Sequence, residues 1–361
     1  MKRRKFLIGA TSSVSILLSN TAKAAEPCAP ILLGGSPSAP CPTGDSGDST
    51  LSDIIGGMGV NSWAQLPATW PGGVTDFFAP SPSSESITDF AHQGFYDPVR
   101  RKMVFVGAGY GGQCGYVVYD EATDSWSRTV FSENIIHSWD HVAYDASRGY
   151  LYFSGELGGT LRRIDIDTGT LSYDGSLPWH GSVDTYGMEY WPSKDGIIVS
   201  NQSGDAYFRP HGGSFSLLTS NLQNVGYDSM LSHNPVRDVM YWGGGNGTEE
   251  VFKEIATDGA VTSLSNAFYL YVGSTVANCD PVTGDLIVRH TAGGSPEMSK
   301  YVHGSGWSTI STSIPSYLTG KRGSFDAAVN HELYPSRGVI MYVTTDVGIP
   351  SVGEVWLYRY S

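Results

Sequence analysis

A short turn flanked by two apolar runs recurs six times along this chain and constrains its fold more than any other feature. The first copy, residues 95–106, reads FYDPVRRKMVFV. The residue that opens the turn is, in chain order, Asp97, Asp145, Trp191, Asn234, Asp280 and Tyr334, and successive copies lie 43 to 54 residues apart. Asp or Asn followed by Pro favours a tight turn. Each copy is therefore predicted to be a hairpin of two strands.

Two further short strands are predicted between one hairpin and the next, as in residues 116–119 and 125–127. Four strands in a repeat of this length are typical of a propeller blade, so six copies predict an all-β, six-bladed β-propeller of four-stranded blades. The sixth blade has no fourth strand of its own, because residues 355–358 match its third strand and the chain then ends. Residues 61–66, upstream of the first blade, match the fourth-strand pattern. We expect this N-terminal strand to pair with the C-terminal blade and close the ring, which removes an exposed sheet edge.

The first blade carries an apolar strand ending in glycine, Val104 to Gly107, followed by Tyr119 and Trp126 with six residues between them. In this pattern the chain resembles the kelch-type β-propellers, an architecture also used by galactose-oxidase-like propellers, over roughly residues 62–361. Most other blades depart from the pattern, since the double glycine is broken and Trp is replaced by Leu or Phe. The resemblance implies the fold and no single function. The copper ligands and cysteine-linked tyrosine of galactose oxidase have no matching positions in this sequence.

A basic residue follows the turn opener by three positions in five copies: Arg100, Arg148, Lys194, Arg237 and Arg337. We interpret these side chains as solvated charges on the turns. The net charge of −13 argues against nucleic acid and anionic membranes as partners.

The first 24 residues have the composition of an export signal peptide. A basic segment, residues 2–5, precedes a mildly apolar core, and Ala22-Lys23-Ala24 matches a cleavage site. The sequence RRKFL at residues 3–7 is similar to a twin-arginine signal, with general secretion as the alternative. The predicted organisation is a signal peptide at 1–24, a flexible Gly/Pro/Ser-rich segment at 25–54 and the propeller at 55–361, in the periplasm or secreted. No membrane span is expected in the mature chain.

The four cysteines are divided between the linker and the propeller. Cys28 and Cys41 lie in the segment 25–54, and an oxidising compartment makes a disulfide between them plausible. Cys114 and Cys279 fall in the first and fifth blades, which are not neighbours in a ring of six, so we expect both to be free thiols.

The loops between second and third strands, and between one blade and the next, are longer and carry rarer residues than the hairpin turns. Functional residues concentrate on loops held by a rigid scaffold. The candidate ligand-binding residues on this face are His137, Trp139, Asp140, Trp179, His180, Tyr227 and Asp228. Aromatic rings and carboxylates suit sugar rings, sugar hydroxyls or Ca²⁺. The alternative is structural, with each Asp capping a loop and each aromatic packed between blades.

The end of the second strand differs in the fifth blade alone. Arg289 and His290 stand there, where the other blades have apolar, small or neutral polar residues. A buried arginine requires a carboxylate or an anionic ligand. Both residues are therefore candidate ligand-binding residues, with an inter-blade ion pair as the alternative for Arg289.

No nucleophile elbow or His-Glu-x-x-His sequence is present. The favoured hypothesis is a non-catalytic binding or interaction module for a glycan or protein on the long-loop face, expected to be a monomer. The alternative is an enzyme, a lyase acting on uronic-acid glycans, with His92, His141, Tyr186 and Arg289 as candidate catalytic residues. Neither hypothesis requires a cofactor, although a carboxylate ring can take Ca²⁺ and a bent loop bringing His137 to His141 can take a transition metal.

Overall fold

The structure is a computed structural model of the 361-residue chain. It describes residues 49–78, 87–88, 91–107, 113–134, 141–154, 159–178, 187–201, 203–223, 230–243, 251–265, 276–292, 295–311, 314–315, 323–329, 333–346 and 349–361. These residues all belong to one compact unit, Leu32–Ser361.

The described residues form six blades of four antiparallel strands each, two short α-helices and one turn of 3₁₀ helix. The N-terminal elements are α1 (Thr50–Gly57), β1 (Ser62–Leu66) and α2 (Val74–Phe78). Blade 1 contains β2 (Ala91–Asp97), β3 (Lys102–Gly107), β4 (Gln113–Asp120) and β5 (Ser125–Asn134). Blade 2 contains β6 (Val142–Asp145), β7 (Tyr150–Ser154), β8 (Thr160–Asp165) and β9 (Thr170–Ser176). Blade 3 contains β10 (Met188–Trp191), the 3₁₀ turn (Pro192–Lys194), β11 (Gly196–Ser200), β12 (Ala206–Pro210) and β13 (Ser216–Thr219).

The remaining blades follow the same order of strands. Blade 4 contains β14 (Met230–Asn234), β15 (Val239–Gly243), β16 (Phe252–Ile255) and β17 (Val261–Ser263). Blade 5 contains β18 (Val276–Cys279), β19 (Leu286–Ala292), β20 (Ser295–Val302) and β21 (Gly306–Ser311). Blade 6 contains β22 (Gly323–Val329), β23 (Val339–Asp346) and β24 (Ile349–Arg359), with β1 as its fourth strand. The predicted six-bladed propeller is therefore confirmed.

The hydrophobic core is divided among the seams between adjacent blades. Side chains alternate across each strand, so the middle strands of a blade present apolar residues to both neighbouring blades. On β19, Ile287 packs toward blade 6 with Tyr342, whereas Val288 packs toward blade 4 with Tyr241. Seven of the eleven largest fully buried side chains are tyrosine or tryptophan, which fill these wide seams better than aliphatic residues do.

The hairpin turns are built by the side chain of the residue that opens them. Asp97 Oδ1 accepts hydrogen bonds from the backbone N–H groups of Val99 at 2.9 Å and Arg100 at 3.0 Å. Blades 2, 4 and 5 repeat these two bonds with Asp145, Asn234 and Asp280. The opener is fully buried in blade 1, so its carboxylate replaces water for two backbone donors.

In blades 1 and 2, the basic residue of the turn forms an ion pair with the next blade and is not a solvated charge. Arg100 donates to Asp97 at 2.9 Å and reaches blade 2, where it donates to Asp167 at 3.0 Å and to the carbonyl of Ala146 at 2.9 Å. Gly149 permits this crossing, because a Cβ there would lie 2.7 Å from the guanidinium carbon. The interpretation of Arg100 as a solvated charge is therefore wrong: its side chain is 19 % exposed.

The turn of blade 2 reaches blade 3 in the same way. Arg148 donates to Asp195 with both terminal nitrogens, at 2.6 and 2.9 Å, and to its own turn opener Asp145 at 2.6 Å. The hydrogen bonds from Arg148, ahead of one from Tyr190, lower the pKa of Asp195. This carboxylate therefore stays ionised, and the ion pair between Arg148 and Asp195 persists in mildly acidic solution.

The ring is closed by β1, as the sequence predicts. It pairs antiparallel with β24 from Ser62 opposite Arg359 to Leu66 opposite Val355. The Trp63 ring lies against Tyr358, with centroids 4.6 Å apart. Blades 6 and 1 are further joined by parallel pairing of their innermost strands, β22 and β2, so the two blades form one eight-stranded sheet.

Helix α1 begins at Thr50, upstream of the boundary predicted from composition at residue 55. Ser49 and Ser52 form a reciprocal capping box, and Ser49 Oγ also donates to the buried Glu121 of blade 1 at 2.5 Å. At the other end of α1, Arg337 of blade 6 donates to the carbonyl oxygens of Ile55 and Gly56. The helix therefore lies across the seam between blades 6 and 1 and reinforces ring closure.

Candidate functional site

Most of the residues predicted to bind a ligand on the long-loop face lie outside the described residues. These are His137, Trp139, Asp140, Trp179, His180, Tyr186, Tyr227 and Asp228, together with the proposed disulfide partners Cys28 and Cys41. His92 lies on β2 and Cys114 on β4, where only the backbone is described. The described members of the predicted site are His141, Arg289 and His290.

A layer of buried polar residues lies directly beneath the long-loop face. Gln93 on β2 of blade 1 and His141, immediately before β6 of blade 2, both stand four residues before the turn opener. Arg289 stands at the same level in blade 5, since it pairs in register with Val276, the residue four before Asp280. Their exposed fractions are 9 %, 1 % and 2 %. Blades 2 and 5 are opposite in a ring of six, so His141 and Arg289 lie on opposite sides of the axis.

Arg289 and His290, in the middle of β19, point to opposite faces of blade 5. Arg289 pairs with Met298 and shares its face, which packs against Tyr342 of blade 6. His290 faces blade 4, and its Nε2 lies 2.8 Å from Ser299 Oγ. Because successive side chains alternate along a strand, the two cannot contact one small ligand from the same side. The predicted pair is thus two separate groups.

Burial sets the charge of these two groups. It lowers the pKa of His290 to about 4, so the imidazole is neutral at physiological pH. Arginine remains protonated in proteins, so Arg289 places a cation at the edge of the polar layer. In chemical terms, this part of the propeller offers a fixed positive charge from Arg289, the neutral imidazole of His290 and the amide of Gln93.

Sequence reasoning missed a polar contact across the axis. Gln93 Nε2 of blade 1 donates to Glu189 Oε2 of blade 3 at 3.1 Å, although blade 2 lies between them in chain order. Glu189 is 8 % exposed and stands in the innermost strand MEYW, where its neighbours are apolar. A glutamate inside an otherwise apolar strand was the available signal. Its partner cannot be found from spacing, because the contact depends on the width of the ring.

Cys279 is a free thiol on the innermost strand of blade 5. Ser232 Oγ of blade 4 lies 3.4 Å from its sulfur, and burial raises the pKa of the thiol. The thiol is therefore protonated and unreactive at neutral pH. Within the described ranges, no three His, Cys, Asp or Glu side chains are grouped so as to hold a metal ion.

The fold defines this chain as a six-bladed β-propeller. No protein-family model matches its sequence, and no curated protein sequence matches it. Among solved structures it is similar to a nidogen/laminin complex, with 9 % identity, a TM-score of 0.48 and coverage of 64 % of this chain and 82 % of the other. It is also similar to TolB from Acinetobacter baumannii, with 12 % identity, a TM-score of 0.46 and coverage of 72 % and 64 %.

A third similar structure is a structural-genomics protein from Bacteroides thetaiotaomicron, with 16 % identity and a TM-score of 0.41. The aligned parts cover 54 % of this chain and 55 % of that one. At these identities the likenesses concern the fold alone, and the blade count and strand order rest on the strand pairing described above. Neither α-helix among the described residues has the length and apolar character needed to cross a membrane.

Proposed function

We propose that this propeller is an exported binding module that takes an anionic glycan on its long-loop face. The observation that carries the proposal is the buried cation of Arg289 in the middle of β19, in a chain whose net charge is −13. A guanidinium offers paired donors that match a carboxylate or sulfate group. The residues at the equivalent position in other blades, such as Ser154, Ser200 and Val343, carry no charge.

The same proposal includes the kelch-type assignment and the export route. Tyr119 and Trp126 are cross-strand partners with ring centroids 4.9 Å apart, which supports a kelch-like third and fourth strand in blade 1. Tyr358 with Trp63 and Tyr301 with Trp307 are equivalent pairs in blades 6 and 5. The basic and apolar residues 1–24 support export to the periplasm or beyond, with removal of the signal peptide after Ala24.

The proposal is tested by titrating the mature protein with uronate polymers (polygalacturonate, alginate and hyaluronate) and with neutral dextran and starch. We expect binding to at least one uronate polymer and none to the neutral ones. Arg289→Ala should weaken that binding at least about tenfold, in line with the loss of a charged hydrogen bond. Arg163→Ala is the matched control. Arg163 lies in blade 2, near the hairpin-turn face, and forms an ion pair with Asp174 at 3.1 Å. Binding to neutral polymers alone, or to none, would refute the glycan assignment.

Thermal melting of Arg289→Ala separates a ligand role from a scaffold role. If Arg289 serves a ligand, the variant should melt close to the parent while its affinity falls. A large loss of stability with affinity retained in the folded fraction would assign Arg289 to the blade 5–6 seam instead. Breaking a buried ion pair from one side costs about 3–5 kcal/mol, so the two outcomes differ well beyond measurement error.

The second candidate is a lyase on uronic-acid glycans. The observation that favours it is the presence of His141 in the same buried layer as Arg289. A lyase needs a base to remove the proton beside a carboxylate and a cation to offset the charge that develops. New ultraviolet absorbance from an unsaturated uronate product, lost in His141→Gln, would establish it. Binding of a uronate polymer without any such absorbance would leave the non-catalytic module as the function.

A further inference from the structure

The carboxamide of Gln93 presents an unused acceptor on the propeller axis. Its Nε2 donates to Glu189, and an ionised carboxylate can only accept. The reversed amide would place two acceptors together, so the chemistry decides which end of the group meets Glu189. The oxygen Oε1 is then buried and finds no hydrogen-bond partner among the described residues. Buried acceptors of this kind are nearly always matched by a donor or a cation.

The carboxylate beside Gln93 is itself largely buried. Glu189 Oε1 accepts from the backbone N–H of Tyr190 at 2.8 Å, and Oε2 accepts from Gln93. The Gln93 carbonyl and the Glu189 carboxylate therefore place neutral and negative oxygens side by side.

The innermost strands of blades 4 and 5 add polar atoms at the level of Glu189. Ser232 and Asn278, like Glu189, stand two residues before the turn opener of their blades. Asn278 Oδ1 accepts from the backbone N–H of Ala328 in blade 6 at 3.1 Å. Ser232 Oγ contacts Cys279. These side chains have partners of their own, so the candidate direct ligands are Gln93 and Glu189.

We propose that Gln93 Oε1 and the Glu189 carboxylate bind a hard cation on the propeller axis, and that this cation is Ca²⁺. Hard cations take oxygen ligands, and Ca²⁺ accepts carboxylate and amide oxygens in irregular arrangements completed by water, whereas Mg²⁺ demands near-octahedral geometry. With one carboxylate the site is weak, in the range of roughly 10⁻⁴–10⁻³ M found for extracellular modules. The ion ties blade 1 to blade 3 and is independent of the glycan proposed above.

The test is thermal melting of the mature protein after treatment with a chelator, without any glycan. Addition of 10 mM CaCl₂, on the order of ten times the expected dissociation constant, should raise Tm by about 2 °C. MgCl₂, and NaCl at matched ionic strength, should have a smaller effect. Gln93→Met keeps the side-chain volume and removes the acceptor, so it should abolish the calcium-specific rise. Glu189→Gln should abolish it as well.

Gln65→Met is the matched control, because Gln65 is exposed on β1. It should keep the full response to calcium. A wild-type protein with no calcium-specific rise would overturn the proposal without recourse to any variant, and so would a Gln93→Met protein that responds like the wild type. Failure of glycan binding would leave this measurement unchanged, so the two proposals fail separately.

Discussion

Trp63→Ala should open the propeller ring, whereas the equivalent change in another blade should not. The indole of Trp63 lies 4.6 Å from the ring of Tyr358 and 5.4 Å from that of Tyr342, measured between centroids. It is the aromatic residue of β1, the five-residue strand that supplies the outer edge of blade 6. Trp307 holds the same place in blade 5, with its ring 5.1 Å from Tyr301, but β21 follows β20 through a tight turn.

The expected loss of stability follows from the burial and contacts of the indole. Replacement of a buried Trp by Ala costs about 3–5 kcal/mol, and each aromatic contact accounts for about 0.5–1.5 kcal/mol of that. Trp63 is half-buried, and its indole N–H finds no hydrogen-bond partner among the described residues, which offsets part of the gain from packing. We therefore expect about 3 kcal/mol, which corresponds to a fall in Tm of roughly 5–10 °C.

The two tryptophan variants should differ in how they fail rather than in how much stability they lose. In Trp63→Ala, amide exchange of residues 62–66 and 355–359 should accelerate beyond that of the other blades. The exposed edge of β24 should also promote self-association at high protein concentration, measured by light scattering after gel filtration. Trp307→Ala should lose similar stability in urea and keep the exchange pattern of β1. Equal exchange and equal association in both variants would show that β1 does not limit ring opening.

Two further predictions concern the turns and the seam of blade 5. Asp97→Ala should cost about 3–5 kcal/mol in urea unfolding, because it removes two turn hydrogen bonds and leaves the partly buried Arg100 with one carboxylate fewer. Asp97→Asn should cost less, since Asn234 opens the turn of blade 4 with the same backbone bonds; equal losses would contradict this account. Burial holds the pKa of His290 at about 4, against about 6.5 in an unfolded chain, so the unfolded state binds more protons between these values. The free energy of unfolding should therefore fall by on the order of 3 kcal/mol as the pH drops from 6.5 to 4, and His290→Gln should flatten that decline. A decline of the same size in the variant would assign the pH dependence to other groups.

The fold could be predicted from the sequence because the turns and strands are specified by residues close together in the chain. A buried Asp or Asn before Pro builds its own turn with the next backbone N–H groups, and the apolar alternation on either side defines the two strands. The closing strand could also be found, since Trp63 matches the place of Trp126 and Trp307 in their blades. The start of α1 was missed because a Ser-rich stretch looks like a linker until Glu121 offers its capping serine a partner.

The candidate site could be predicted from the sequence only in part. Position in the repeat singled out Arg289 and His290, since a charge that departs from five equivalent neighbours is visible in the sequence. Their separation onto opposite faces of blade 5 follows from strand alternation, once the strand is known to run through both residues. The pairing of Gln93 with Glu189 had no signal in spacing, because the two strands belong to blades that are not adjacent.

The sequence by itself determined the blade count, the strand order and the identity of the strand that closes the ring. These depend on contacts between residues close in the chain and on the match between repeats. The tertiary structure decided where the charges go: Arg100 and Arg148 cross to the next blade, and Glu189 meets Gln93 across the axis. The physical reason is that such contacts depend on the width and tilt of the closed ring. That geometry emerges only when all six blades pack together.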